Sequence, residues 1–285
     1  LFAIARRIYH RAMDMQTARR PASAPGTAAA IRFCGVAKRY RGRQVLRQIS
    51  FDVAPGTSTA IAGVNGAGKS TLLRCLLDFC QPDEGQILIQ GCSHAQIGAR
   101  TALGWLPERF VAPAHLNARE TLQWLAGLRG TVLQSERLEA LAARFGLDAQ
   151  ALKTRVRELS KGTAQKLGLL SIGLSDCPIW VLDEPMSGLD AQARRTAAQL
   201  IDEARRSGRT VLFSTHGLRE LPAICDQLVV LHDGAVHFCG RPQEFGERYA
   251  TQDLEAALLT CVDEQAALAA SVRRHCPQPA QGLTI

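Results

Sequence analysis

No apolar run among these 285 residues reaches the ~20 that a bilayer-spanning helix needs, so any membrane association would come through a partner or a surface helix. The nine cysteines are an odd number with no Cys-x-x-Cys pair, which argues against both a disulfide framework and a zinc site. A reducing cytoplasm fits this usage, with Cys75 and Cys177 expected as small buried thiols. There is no Asn-Lys-x-Asp segment to read a guanine and no heptad array to build a long coiled coil. The net charge of +8 is not gathered into a basic tract. Nucleic acid is therefore not an expected partner, and anionic lipid or a nucleotide pocket accounts for the charge equally well.

What is there begins with a globular composition, 46% hydrophobic and 21% charged, on a chain long enough to bury a full core. It is organised around Gly63-Val64-Asn65-Gly66-Ala67-Gly68-Lys69-Ser70-Thr71, a phosphate loop. Thr57-Ser58-Thr59-Ala60-Ile61-Ala62 before it reads as a strand, and Leu72-Leu73-Arg74-Cys75-Leu76-Leu77 after it as a helix. Gly63, Gly66 and Gly68 let the backbone turn and bring its N–H groups close to an oxyanion, and the first-turn amides of the helix add partial positive charge. Lys69 is spaced to reach the β- and γ-phosphates of a nucleotide, and the Ser70 hydroxyl to meet Mg²⁺.

Strands and helices alternate around that loop. Residues 1–30 are expected to form a leader outside the fold, with Arg6, Arg7 and Arg11 among apolar residues before the breaker run Pro21-Ala22-Ser23-Ala24-Pro25-Gly26. Ile31-Arg32-Phe33-Cys34-Gly35-Val36 and Val45-Leu46-Arg47-Gln48-Ile49-Ser50-Phe51-Asp52-Val53 read as strands flanking a basic turn that holds Tyr40. On spacing alone Tyr40 belongs in the core. Gln81-Pro82-Asp83-Glu84-Gly85 reads as a turn and Gln86-Ile87-Leu88-Ile89-Gln90 as a strand. Helical patterns then run from Asn117, where Glu120 completes a capping box, to about Ser175, with Gly146 closing an amphipathic segment that starts at Ser135.

Ile179-Trp180-Val181-Leu182 is apolar throughout, as a strand buried on both faces is, and it ends in Asp183-Glu184. Asp190 caps a helix reaching Arg206, and Thr210-Val211-Leu212-Phe213-Ser214 is the next buried strand, leading into His216. Asp233-Gly234 joins a hairpin, residues 246–270 read as helical, and the last fifteen residues read as frayed. The fold class is therefore α/β: a phosphate-loop core sheet with an antiparallel β subdomain, a helical subdomain over about 107–175 and a C-terminal helical extension over 246–285.

Leu159-Ser160-Lys161-Gly162-Thr163-Ala164-Gln165-Lys166 stands just before the Ile179 strand, and Ser187-Gly188-Leu189-Asp190 just after it. In that order, with the phosphate loop before and His216 behind, the chain resembles the ATP-binding subunit of an ABC transporter over about residues 31–240. The resemblance implies ATP as substrate and Mg²⁺ as cofactor. It implies that Gly63, Val64, Asn65, Gly66, Ala67, Gly68, Lys69, Ser70 and Thr71 bind the phosphates and that Tyr40 stacks on adenine, which overrides the core reading. Ser70 and Asp183 would hold Mg²⁺, Glu184 would be the general base, and His216 would hold the γ-phosphate beside Lys69. Asp190 closes the family's D-loop. Ser160 and Gly162 would cover the nucleotide of a second subunit, so two chains, alike or different, would sandwich two ATP molecules.

Two departures stand out. Lys161 and Thr163 replace the first glycine and the glutamine of the family's Leu-Ser-Gly-Gly-Gln, and Glu108 stands where many members carry a glutamine. An acid at 108 can still ligate Mg²⁺. Both forms look like the branch of bacterial exporters whose ATPase and permease are separate chains. The implied partners are a transmembrane permease and a second ATP-binding subunit, and the implied place is the cytoplasmic face of the inner (plasma) membrane, as a peripheral protein. A soluble ABC ATPase acting on ribosomes or DNA is the alternative. That class is expected to carry two cassettes or a long coiled coil, and this chain has one cassette and no heptads.

Overall fold

The structure of the protein, a computed structural model, describes residues 29–275. The leader expected at 1–30 lies outside the described residues as far as residue 28, and so do residues 276–285 of the expected frayed end.

Strands β1 (Ile31–Tyr40) and β2 (Arg43–Val53) pair antiparallel, with Ile31 opposite Val53 and Tyr40 opposite Arg43. That register leaves only Arg41 and Gly42 for the turn. Both have positive φ, 48° and 82°, as a tight hairpin that follows the strand twist requires. The consequence is that Tyr40 sits at a strand end with 42% of its surface exposed, so the spacing-based core reading is corrected. After β3 (Ser58–Ala62), strands β4 (Glu84–Ile89) and β5 (Cys92–Ser93) complete a four-stranded antiparallel sheet in the order β2-β1-β4-β5. The turn expected at residues 81–85 is shorter than the sequence suggests, because Gly85 lies inside β4. A Cβ there would stand 2.3 Å from the Gly35 carbonyl oxygen, so the crossing of β1 and β4 demands a glycine that composition alone assigns to a turn.

The second sheet adds β6 (Leu103–Leu106), β7 (Ile179–Leu182), β8 (Thr210–Thr215), β9 (Gln227–His232) and β10 (Ala235–Gly240) to β3, in the order β10-β9-β3-β8-β7-β6. All its pairings are parallel except β9 with β10. Every residue of β3 and β7 is buried, as central strands covered on both faces must be. Together with the antiparallel sheet and the helices between β6 and β7, this is the α/β phosphate-loop architecture expected. Because β3, β8 and β7 are parallel neighbours, the segments following them emerge side by side at the carboxyl edge of the sheet, where ligands bind in such folds.

Helix α1 (Lys69–Leu76) follows β3 and buries Leu72, Leu73 and Leu76 completely. At about 1.5–3 kcal/mol for each buried leucine, this packing fixes the helix and the loop ahead of it. Between β6 and β7 lie α2 (Ala118–Leu128), α3 (Ser135–Arg144), a single turn Ala149–Lys153 and α4 (Lys161–Gly173). The capping box is complete: Asn117 Oδ1 accepts from Glu120 N and Glu120 Oε2 from Asn117 N, each at 2.8 Å. Helix α5 (Ala191–Arg206) follows β7, and α6 (Pro242–Arg248) and α7 (Leu254–His275) close the described chain. The helical reading of 246–270 thus needs correction, since the helix breaks between Arg248 and Leu254. Ala250 takes φ 51°, and the Asp253 carboxylate accepts from Glu255 N at 2.9 Å and restarts the helix.

Candidate functional site

Strand β3 ends at Ala62, and the loop that follows is shaped by its neighbours as much as by any ligand. A Cβ on Gly63 would lie 2.2 Å from the Leu231 carbonyl oxygen, and one on Gly68, whose φ is 107°, would lie 2.9 Å from Leu46 Cδ2. A Cβ on Gly66 would meet nothing within 4 Å. Gly63 and Gly68 therefore answer to packing, and the Gly66 side of the loop is the open one. Gly234, in the turn joining β9 to β10, donates its N–H to Ala67 O at 3.2 Å and accepts from Arg47 N at 2.7 Å. The hairpin turn thus joins the loop to β2. Gly68 begins α1 with no side-chain cap and no acidic residue in the first turn, leaving the first amides for an oxyanion.

Lys69 is 6% exposed and donates from Nζ to Gly63 O at 2.7 Å, with Glu184 Oε1 at 3.5 Å. The Ser70 hydroxyl donates to Asp183 Oδ1 at 3.2 Å. The same oxygen accepts from the Ser214 hydroxyl at 2.6 Å. Glu184, with φ 48°, donates its N–H to Ser214 Oγ at 2.9 Å and holds its Oε2 2.8 Å from His216 Nδ1. These contacts converge because β7 delivers the two acids and β8 delivers Ser214 and His216. Residues 65–71, Val45, Glu108, Glu184 and His216 line one cavity of about 470 Å³.

Other residues singled out from the sequence stand apart. Tyr40 is not on that cavity wall; Lys38 Nζ lies 5.5 Å over its ring, and the Cys80 thiol at its hydroxyl, then partial burial, push its pKa up to about 12. Ser160 is exposed and caps α4, its Oγ accepting from Thr163 N at 3.1 Å. A Cβ on Gly162 would lie 3.0 Å from Gly188 O, so the first turn of α4 packs on the loop after β7, and neither lines the cavity. Asp190 caps α5, and the Ala193 N–H at 2.7 Å, then the Lys166 ammonium at 3.1 Å, hold its carboxyl below the ordinary range. Ser214 reads in the sequence only as a strand residue. Its one sequence signal is a hydroxyl at the end of an otherwise apolar buried run.

The Ser70 hydroxyl and the Asp183 carboxylate, 3.2 Å apart, are hard oxygen donors of the kind Mg²⁺ takes, and Glu108 faces the same cavity. Among the described residues no cluster of three or more histidines, cysteines or acids could hold a metal by itself.

A sequence family described as ABC transporter matches residues 46–187. The ABC-type transporter ATP-binding protein EcsA of Bacillus subtilis (strain 168) is 31% identical over 218 residues, 75% of this chain and 88% of that protein. The Nod factor export ATP-binding protein I of Rhizobium etli is 33% identical over 75% of this chain and 69% of its own length. The Fe(3+) ions import ATP-binding protein FbpC of Mesorhizobium japonicum is 34% identical over 74% of this chain and 60% of its own. Among solved structures, one titled as the ATP binding subunit of an ABC transporter superposes with a TM-score of 0.73 at 28% identity, covering 81% of this chain and 99% of that one.

Proposed function

Because the chain belongs to the ATP-binding subunits of ABC transporters, we propose that it hydrolyses ATP at this cavity and drives a separate transmembrane permease by closing on a second ATP-binding subunit. The observation that carries the proposal is an asymmetry. Lys69, Glu184 and His216 share one cavity wall with the phosphate loop, and Ser160 and Gly162 stand outside it. A pocket open to solvent does not shield a phosphoryl transfer from bulk water, and in this reading its closing wall comes from another chain.

In this mechanism the loop amides and Lys69 neutralise the phosphates, Lys69 exchanging its Gly63 carbonyl contact for them. The Ser70 hydroxyl and Asp183, with Glu108 as a further oxygen donor, would hold Mg²⁺, which when bound would supply charge neutralisation for the phosphates. Glu184 takes the proton from the attacking water, and His216, within hydrogen-bond reach of Glu184, turns to hold the γ-phosphate. Ser160 caps a helix whose N-terminus faces an anion in the partner's site.

The contact with the permease falls on the helices between β6 and β7 and on Glu108. Exposed apolar side chains in that insert support this surface: Val111 is 73% exposed, and Val132, between α2 and α3, is 92% exposed. Export is the direction we assign, supported by Lys161, Thr163 and Glu108 and by the likeness to the Nod factor export protein. A neighbouring reading frame encoding a six-helix permease bears on the class directly.

The test is the assembly. Glu184→Gln protein with ATP and Mg²⁺ elutes as a dimer on a sizing column, alone or with its permease, and introducing Ser160→Arg keeps it monomeric. Should Ser160→Arg protein dimerise and turn over ATP like the parent, the second chain does not close the site through this segment.

Tyr40 gives a separate expectation. As the adenine-stacking ring, its removal in Tyr40→Ala lowers ATP affinity by about 1–3 kcal/mol and Tyr40→Trp retains it. Calorimetric titration distinguishes the two, and an alanine variant with parental affinity returns Tyr40 to a structural role.

A further inference from the structure

We propose that Ser214 is a positioning residue that ties the metal-holding acid and the general base into one unit; this rests on the roles of Asp183 and Glu184 proposed above. Leu182 lies opposite Phe213 in the β7–β8 ladder, so the next step along each strand brings Asp183 and Ser214 together. Ser214 is wholly buried, and Asp183 and Glu184 are 6% and 9% exposed, so water does not share their hydrogen bonds freely.

The direction of each bond is forced. A hydroxyl has one hydrogen and two lone pairs. The Glu184 N–H can only donate, so Ser214 Oγ accepts it at 2.9 Å, and the single Ser214 hydrogen goes to Asp183 Oδ1 at 2.6 Å. Serine hydroxyls commonly bond backbone groups close by in sequence. This one spends its donor on one acid and its acceptor on the backbone of the other.

Two effects follow. Asp183 Oδ1 already accepts from Ser70 at 3.2 Å, and the shorter bond from Ser214 keeps that oxygen from rotating away from the Ser70 hydroxyl. Glu184 has φ 48°, a left-handed backbone rare for a side-chain-bearing residue, and the Ser214 bond holds that conformation and with it the direction of the carboxylate toward His216. Asp183 N meanwhile donates to Leu106 O at 2.8 Å and stays in the sheet. The chain leaves the sheet between the two acids, and Ser214 bridges that point.

The experiment compares Ser214→Ala, Ser214→Thr and Ser214→Cys in the full chain, reading ATP affinity by calorimetry with Mg²⁺ and with EDTA, and turnover by phosphate release. Lost support of a metal-holding group costs about 10–100-fold in metal affinity or activity. We expect Ser214→Ala to lose about that factor from the Mg²⁺-dependent gain in ATP affinity and from kcat, with affinity in EDTA unchanged and Ser214→Thr restoring both. Ser214→Ala that unfolds at the parental temperature and keeps both the Mg²⁺ gain and kcat overturns the proposal. If the alanine variant does not fold, Ser214→Cys, of the same shape with a weak donor, decides by the same two readouts. Asp183→Asn runs alongside. Parental behaviour of that variant overturns the metal-site roles themselves, whereas its loss with an unaffected Ser214→Ala overturns only the positioning role.

Discussion

Glu184→Gln protein binds ATP as the parent does and turns it over about 10²–10⁴-fold more slowly, the span associated with a positioned general base. The substitution keeps the volume of a side chain that is 9% exposed and lies 2.8 Å from His216 Nδ1, and it removes the negative charge and with it the basicity. In the proposed mechanism nucleotide affinity rests on the loop amides and Lys69, which stay in place although Lys69 loses its carboxylate neighbour at 3.5 Å. Phosphate release under single-turnover conditions reads the chemical step, and equilibrium binding reads affinity. Parental turnover by the glutamine variant means that another group accepts the proton.

Lys69→Ala has the complementary effect, costing about 2–5 kcal/mol of ATP affinity, the range for removing one member of a buried, hydrogen-bonded charge pair. Its ammonium is the cation nearest the loop carbonyls, 2.7 Å from Gly63 O, and it lies 3.5 Å from Glu184 Oε1. The loss appears at substrate concentrations near KM and in direct titration. Removing the cation also takes from the buried Glu184 carboxylate its lysine neighbour at 3.5 Å, so the variant unfolds at a lower temperature than the parent. Unchanged ATP affinity would move phosphate neutralisation to the loop amides alone.

Local signals carried much of this structure. The Asn117–Glu120 capping box, the hairpin turn at Asp233-Gly234 and the start of α5 at Asp190 are short-range chemistry, and each is where the residue types put it. The all-apolar run of β7 announced a buried strand, and the acids at its end lie beside the phosphate loop. What the chain did not disclose locally depends on partners distant in sequence. Nothing at Gly85 points to Gly35, and Asp253, whose type suits an N-cap, stands inside a helical pattern that otherwise hides the break between α6 and α7. Strand β6 is only four residues long, too short for any periodicity. Ser214 looked like the last residue of a strand because its meaning comes from β7, about thirty residues earlier. Tyr40 was misplaced by spacing for a related reason: the register that ends β1 at that residue is set by pairing with β2.

The turn at Gly234 reaches further than its length suggests. Its N–H is bonded to Ala67, its carbonyl to Arg47, and a Cβ on it would stand 2.4 Å from Val45 O. The two sheets are therefore not free to melt one at a time, since loosening β2 breaks contacts with the same turn that steadies the phosphate loop. In hydrogen exchange, the amides of Arg47 and Gly234 open together as one cooperative unit, with a common opening free energy across segments that the chain order keeps far apart.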